Sequence, residues 1–355
     1  MADRKILFKI MLAAFLYGAV FQAKALAAGG GGDEPFNPGT FIIDHIVDAY
    51  DWHILSYKGS HVSVPLPIIL YSRQSGLHVF MSSKFHHGSH SHKGFSIAGG
   101  DHPQKGKIIE DATGVRPMLD LSITKNVLAI FVSVAFILWL FITVAKAYTR
   151  RGNQAPTGLQ SWVEPVILFV RDDVARPVIG HKYKRFMPYL LTVFFFILIN
   201  NLMGLIPIFP FGANVTGNIA VTMVLALITF FITTFSANKG YWIHIINTPG
   251  VPWWLKFPLP LMPFIEFIGV FIKPIVLMIR LFANITAGHI IVIGFFSLIF
   301  LFGSINAGIG YGVSVMSVLF TIFMSFLELL VAFIQAYVFT LLSAMYFGMA
   351  VEDHH

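Results

Sequence analysis

Long apolar stretches separated by short polar segments dominate the chain after about residue 125. The first, 126–145, has 20 uncharged residues, enough for one helical membrane crossing. The second, 186–238, has 53 residues without Asp, Glu, Lys or Arg and is too long for one crossing. Prolines and a glycine interrupt it at 207–212, which predicts two spans at about 188–208 and 215–235.

Two longer apolar stretches follow, about 42 residues at 261–302 and about 39 residues at 313–351. As helices they would be roughly 60 Å long, twice the roughly 30 Å thickness of the hydrocarbon core. We therefore predict a pair of steeply tilted helices, joined as a hairpin by a loop at 303–312.

The first residues of the chain resemble a targeting segment. Basic residues precede a short apolar run at 10–21, and Ala-Leu-Ala follows at 25–27, which predicts a signal peptide over 1–27. The alternative is an uncleaved first transmembrane helix.

Polar residues and β-like runs at 61–71 and 76–81 predict a small β-containing domain outside the cytoplasm within residues 28–120. Residues 121–355 then form a transmembrane domain. Seven basic residues between 150 and 185 mark the cytoplasmic side, and 162–170 is predicted to be an interfacial helix. The predicted fold is an all-α polytopic membrane protein with about five spans, its N-terminus outside and its C-terminus in the cytoplasm.

Composition supports a lipid environment and excludes several classes of function. The chain is 56% hydrophobic and only 12% charged, with a mean hydropathy of +0.75. Its net charge of +7 is divided among the segments between spans, which disfavours a nucleic-acid partner. It has no cysteine and no Walker-type glycine loop, so we expect no thiol chemistry, no nucleotide site and no cofactor.

Ionisable residues are scarce in the last two predicted helices, so each one is informative. They are Glu266, Lys273, Arg280 and His289 in the fifth helix and Glu328 in the sixth. An ionisable group in the bilayer costs at least about 2.5 kcal/mol, which makes function the default explanation. The alternative is a charge pair that only locks two helices together.

Counting along the helices places these groups at different depths. Arg280 lies near the middle, Glu266 roughly 21 Å toward the cytoplasm and His289 roughly 13 Å toward the outside. Glu328, on the antiparallel helix, can approach His289. Arginine cannot release its proton, whereas His289 and Glu328 can exchange theirs. This pattern favours two polar routes that stop short of each other.

Four sequence motifs carry a family resemblance. They are IRLFANITAGH at 279–289, ELLVAFIQAYVFT at 328–340, NNLMGLIP at 200–207 and LDLSITKN at 119–126. Over about residues 118–355 the chain resembles the a subunits of F-type ATP synthases. The resemblance implies a proton-translocating stator subunit of the Fo sector, without a catalytic site of its own.

The resemblance also implies roles for individual residues. Arg280 would be the essential cation facing the carboxylates of a rotating c-ring. Glu328 and His289 would belong to the outer half-channel, in the arrangement of mitochondrial relatives; some bacterial relatives have these two residue types exchanged.

Glu266 would belong to the inner half-channel, and Asn284 and Gln335 would tune the polarity near the essential arginine. Implied partners are the c-ring, b-type peripheral stalk subunits, other ATP synthase subunits and membrane lipid. The implied location is the bacterial inner membrane.

Two other functions remain open at this point. A stand-alone channel or antiporter would usually show paired repeats, and the sequence has none between its halves. A metal sensor would use the histidine-rich run at 86–92, whose spacing fixes no coordination geometry, so a solvated loop is favoured.

Overall fold

A computed structural model describes residues 38–39, 42–43, 47–57, 60–99, 102–151, 154–206, 212–247 and 261–352. The predicted signal peptide and the prolines at 207 and 210 lie outside these ranges. The chain divides into two compact units. One contains residues up to Val132 with Met203–Val215 and Ile290–Ser325, and the other contains the remaining residues.

The N-terminal β-region belongs to the first unit, and its described residues form seven short strands. They are β1 (Asp51–Tyr57), β2 (Ser60–Pro65), β3 (Pro67–Ser72), β4 (Gly76–Met81), β5 (Phe95–Ile97), β6 (Ile108–Glu110) and β7 (Leu119–Asp120). β1 pairs with β2, β5 pairs with β6, and β3 lies between β4 and β7; every pairing is antiparallel.

Alternation along β3 places Ile68 and Leu70 in a small core with Phe85, Phe95 and Ile108. The β-containing N-terminal region is therefore confirmed. The single run predicted at 61–71 was wrong, because Leu66 separates two strands. A proline begins β3 at position 67 and has no N–H to donate to a ladder.

After the β-region, the described residues form eight α-helices. They are α1 (Lys125–Arg151), α2 (Leu159–Phe169), α3 (Arg176–Ile179), α4 (Tyr183–Gly204), α5 (Ile219–Ser236), α6 (Lys239–Ile246), α7 (Leu261–Ile305) and α8 (Ala307–Val351). A π-helical stretch, Val170–Ala175, and a 3-10 turn, Gly180–Lys182, connect α2, α3 and α4. Among the described residues, five helical stretches are long and apolar enough to cross a membrane, which confirms the predicted number.

The connection between α7 and α8 differs from the prediction. Instead of a loop at 303–312, α7 continues to Ile305, α8 begins at Ala307, and only Asn306 lies between them. The glycines serve packing here. A Cβ added to Gly310 would lie 2.7 Å from the Cα of Gly303, so two glycines allow the backbones to approach closely.

α7 and α8 run antiparallel as the predicted hairpin. Contacting pairs, starting from the connection, are Gly303 with Gly310, Phe295 with Phe320, His289 with Glu328, and Lys273 with Tyr346. Each helix has 45 residues, so each is about 67 Å long at 1.5 Å per residue.

Packing of the second unit holds the C-terminal half of α8 against α4. Phe186 stacks on Phe347 with ring centroids 4.7 Å apart. A Cβ on Gly348 would lie 2.5 Å from the carbonyl oxygen of Val178, so this glycine also permits a close approach. The C-terminal half of α8 therefore packs on one side against α3 and α4.

Candidate functional site

Arg280 lies on an exposed face of α7. Asn284, one turn later, is exposed on the same face, as is Ala287. Leu277 and Leu281 lie on the adjacent face, about 60° and 100° around the helix from Arg280, and are almost completely buried. The helix therefore packs with its leucine side and presents the guanidinium outward.

No acidic partner neutralises this guanidinium within the described part of the chain. The ion pairs there involve other residues, and Arg280 is in none of them. Its positive charge does act on the Tyr346 hydroxyl of α8. An exposed, unpaired cation in the middle of an apolar helix suits an acidic partner from another chain.

Glu328 and His289 are brought together across the hairpin. Oε1 of Glu328 lies 3.9 Å from Nδ1 of His289, within ion-pair range but longer than a hydrogen bond. Their side chains are 13% and 21% exposed, respectively. The acid and the base are therefore adjacent and largely shielded without being locked together.

Gly288 provides the space for the Glu328 carboxylate. A Cβ added at this glycine would lie 2.6 Å from Oε1 of Glu328 and 3.3 Å from its Cδ. Sequence reasoning gave Gly288 no role. The available signal was a glycine inside a long helix, where it costs about 1 kcal/mol relative to alanine.

Glu266 lies 14 positions before Arg280 on α7 and is partly buried. Its charge acts on Lys273, whose Nζ lies 5.7 Å from the ring centroid of Tyr346. Burial, and then the negative charge of Glu266, raise the pKa of Tyr241 on α6 above its ordinary value. Glu266, Lys273 and Tyr241 thus form a polar group separate from the His289–Glu328 pair. It lies toward the opposite end of α7 from His289.

Gln335 is buried on α8, unlike the exposed Arg280. The pairs His289–Glu328 and Lys273–Tyr346 bracket both residues along the hairpin, so the two lie at similar levels. The predicted similarity in depth therefore agrees with the helix register. The influence of Gln335 on the polarity near Arg280 stays a prediction.

A buried polar cluster in the same unit was missed as a site. Asn201 Nδ2 donates to the Ala332 carbonyl oxygen at 3.3 Å, and Thr216 Oγ1 donates to Asn201 Oδ1 at 2.5 Å. Ala332 lies one turn after Glu328 on α8. The cluster therefore places fixed dipoles near the acid–histidine pair, and the signal for it was the amide-rich end of an otherwise apolar helix.

Comparison with known proteins assigns most of the chain. A family model described as ATP synthase A chain matches residues 127–348, well over half of the sequence. The chain belongs to the ATP synthase A chain family. It is therefore a multi-pass membrane subunit of a proton-translocating complex, and the predicted resemblance is confirmed.

Individual relatives agree with this membership. The ATP synthase subunit a of Chloroherpeton thalassium is 45% identical over 244 residues, which cover 66% of this chain and 69% of the relative. A subunit a from Chlorobaculum tepidum is 47% identical over 245 residues, covering 66% of each chain. That of Anaeromyxobacter is 38% identical over 248 residues, covering 66% of this chain and 56% of the relative. The chain thus spans about two thirds or less of the length of these relatives.

The β-region matches a different family model. Residues 41–126 match the model of a domain of unknown function, DUF8433. In this chain, the residues that match DUF8433 immediately precede those that match the ATP synthase A chain model. The match supplies no role for the region.

The histidine-rich run is partly helical and forms no metal-binding group that the structure describes. Ser82–Gly88 forms a 3-10 helix that contains the first part of the run, whereas residues 89–92 lie outside regular elements and His86 and His90 are exposed, as the predicted solvated loop implies. His86 and His90 have ring centroids 5.0 Å apart. Within the described ranges, no three His, Cys, Asp or Glu side chains are arranged to hold a metal ion. The sensor hypothesis therefore gains no support.

Proposed function

We propose that the chain is the stator subunit that guides protons to and from a rotating c-ring through two offset half-channels. The observation that carries the proposal is Arg280, an exposed cation in the middle of α7 that forms no ion pair with any residue in the described ranges. Proton-exchanging groups lie on both sides of it along the hairpin.

The outer half-channel would pass by His289 and Glu328. A carboxylate 3.9 Å from an imidazole can receive a proton without forming a permanent hydrogen bond to it. The dipoles of Asn201 and Thr216 provide a polar wall near this pair. Protons would leave this route by neutralising a carboxylate of the ring.

Arg280 would separate the two routes. Arginine stays protonated in proteins, so it cannot relay a proton, and its charge opposes the passage of one. The same charge attracts an ionised ring carboxylate and favours loss of that carboxylate's proton. Asn284, exposed one turn away, would contact the same partner surface, and buried Gln335 would contribute a dipole from α8.

The inner half-channel would pass by Glu266. The charge of this acid acts on Lys273 and on the Tyr241 hydroxyl, so the N-terminal part of α7 is polar. A proton released opposite Arg280 would leave past Glu266 roughly 21 Å away along the helix.

The remaining parts of the assembly follow from this role. The partners would be the c-ring, b-type peripheral stalk subunits and the other ATP synthase subunits. The location would be the bacterial inner membrane, with the C-terminus on the cytoplasmic side, where the basic residues between 150 and 185 accumulate.

The decisive experiment is ATP-driven acidification of membrane vesicles that contain Arg280→Ala in the assembled complex. Loss of the charge proposed to face the ring should reduce pumping at least about a hundredfold, while ATP hydrolysis by the peripheral part persists. Arg185→Ala is the matched control, because it removes an exposed arginine near the start of α4, beside the Phe186 ring and outside the proposed path.

Pumping by the Arg185→Ala complex should stay within about threefold of the unsubstituted complex. If Arg280→Ala pumps as well as Arg185→Ala, Arg280 does not face the ring and the proposal is wrong. If the purified chain conducts protons without any ring subunit, the stand-alone channel is favoured instead.

A further inference from the structure

The sheet of β4, β3 and β7 carries an unusual apolar surface. Six apolar side chains on its outward side are each between 42% and 65% exposed. We refer to them as the apolar sheet face: Tyr71, Leu77, Val79, Met81, Leu119 and Leu121.

These side chains are neighbours because of the strand register. Tyr71 is paired with both Leu77 and Leu119, so these three residues form a row across all three strands. The next row contains Ile69, paired with Val79, and Leu121, whose N–H donates to the Ile69 carbonyl oxygen at 2.9 Å. The exposed groups therefore form one continuous patch.

The other side of the same sheet is covered. Ile68 and Leu70 point into the core beneath Phe85 and Phe95, which lie in the 3-10 helix and β5. Asp120 points to the same inner side and accepts a hydrogen bond from Tyr50. The sheet thus has two apolar faces, and the part of the chain that the structure describes buries only one of them. Continuous exposed apolar patches in proteins usually mark contact surfaces.

The sheet is tied directly to the first membrane span. Its ladder continues beyond β7, because Ile123 N–H donates to the Pro67 carbonyl oxygen at 3.0 Å. α1 begins two residues later, where Lys125 N–H donates to the Ala49 carbonyl oxygen at 2.9 Å. Six residues at about 3.3 Å each separate Leu119 from Lys125, so the whole face lies within roughly 20 Å of the start of the span.

Apolar exposure resumes on the span itself, where Phe131 is exposed in the second turn of α1. The apolar sheet face is thus continuous along the chain with a surface that must contact lipid. This continuity favours lipid over a protein as its occupant.

Charge around the apolar sheet face also suits lipid. Residues 60–125 contain seven Lys and Arg against four Asp and Glu. Arg73 lies at the edge of the face, with its Nε donating to Met118 Sδ at 3.4 Å. Basic residues beside an apolar surface are typical of segments that lie on membranes containing anionic lipid.

We propose that the apolar sheet face rests on the lipid bilayer at the membrane surface where α1 begins, with its side chains in the boundary between headgroups and acyl chains. The β-region then contacts the lipid surface directly beside the first membrane span. This inference requires only that α1 spans the membrane and is independent of the proposed proton path.

The absence of cysteine from the sequence permits a direct test on the full chain. Val79→Cys places a bimane fluorophore on the apolar sheet face, and Ser91→Cys places one on the exposed segment that covers the inner side of the sheet. The two proteins, with any subunits that copurify, are reconstituted in vesicles of equal parts phosphatidylcholine and phosphatidylglycerol. The phosphatidylcholine carries bromines near the carboxyl end of its acyl chains.

Brominated lipid should lower the fluorescence at position 79 about twofold or more relative to unbrominated lipid, because the probe sits at the depth of the bromines. The probe at position 91 should change by less than about a fifth. Equal quenching at the two positions, or none at either, overturns the proposal. A blue-shifted but unquenched probe at position 79 also overturns it and assigns the face to a protein partner.

Discussion

Two buried acidic groups, one in the β-region and one in the helical hairpin, differ in how completely they are bonded. Asp120 accepts the Tyr50 hydroxyl through one oxygen and the Ser122 N–H through the other, at 3.1 Å. Glu328 approaches His289 only to 3.9 Å, beside the gap left by Gly288. Both acids are shielded from water, yet only the first has its lone pairs satisfied by short contacts.

We expect this difference to separate a structural acid from an exchangeable one. A carboxylate held by two hydrogen bonds gains stability and loses freedom, which suits the fixed core beneath the sheet. A carboxylate kept near a histidine but outside hydrogen-bond distance can change its protonation without breaking the fold. Under the proposed proton path, burial with an incomplete set of partners, rather than burial by itself, therefore makes Glu328 the candidate for proton exchange.

The largest expected effect on pumping comes from replacing Glu328, and replacing Asp120 provides the comparison. Glu328→Gln keeps the side-chain shape but cannot carry a proton, so ATP-driven pumping should fall on the order of a hundredfold. Asp120→Asn should leave pumping within about twofold and instead destabilise the β-region by roughly 1–3 kcal/mol. Vesicle acidification measures the first effect, and urea unfolding of the labelled Ser91→Cys protein measures the second.

The comparison between the two acids fails if these results are reversed. Loss of pumping in Asp120→Asn with a stable β-region would make the Tyr50–Asp120 pair part of the proton path. Normal pumping in Glu328→Gln would make the hairpin acid structural.

A smaller effect is expected from filling the gap at Gly288. Gly288→Ala should displace the Glu328 carboxylate by a few tenths of an ångström or more, and pumping should fall roughly tenfold. Helix stability should not fall, because alanine is favoured over glycine by about 0.5–1 kcal/mol. Pumping and complex assembly are measured together to separate these effects.

Gly294→Ala is the matched control on the same helix, since its added Cβ meets open space. Equal pumping by the two alanine variants would show that the space at Gly288 does not set the position of the acid.

The smallest effect concerns Tyr50 and appears only in alkali. Burial, and then the hydrogen bond to Asp120, raise the pKa of Tyr50 above its ordinary value near 10. The folded state therefore holds this proton more tightly than the unfolded state. The contribution to stability is complete below about pH 10 and is lost as pH rises further, by at most about 1.4 kcal/mol per pH unit.

Urea midpoints of the labelled Ser91→Cys protein, measured from about pH 8 to pH 11, test this dependence. Adding Tyr50→Phe should remove the slope above pH 10. An unchanged slope in that double variant would assign the alkaline transition to a different group.

Several parts of the architecture were predictable because they depend on local sequence alone. Four long apolar stretches, one of them divided by prolines and a glycine, gave five candidate spans, and the isolated charges in the last two stretches gave Glu266, Arg280, His289 and Glu328 as candidate site residues. Glycine was less informative. It predicted a loop at 303–312, whereas the structure uses Gly303 and Gly310 for close helix packing.

The strand content was predicted incompletely for a related reason. β5, β6 and β7 are two or three residues long, too short for a recognisable alternation in sequence. Their pairing partners are distant in the chain, and pairing rather than propensity makes them strands.

By itself, the sequence determined the number of helical stretches long and apolar enough to cross a membrane and the spacing of the charges along them, because both follow from counting residues along a helix of known rise. Only the tertiary structure decided which groups meet. The approach of Glu328 to His289, the gap at Gly288 and the uncovered side of the β-sheet depend on which faces of separate elements pack together. Packing is set by contacts between residues far apart in the chain, and a one-dimensional pattern does not contain that information.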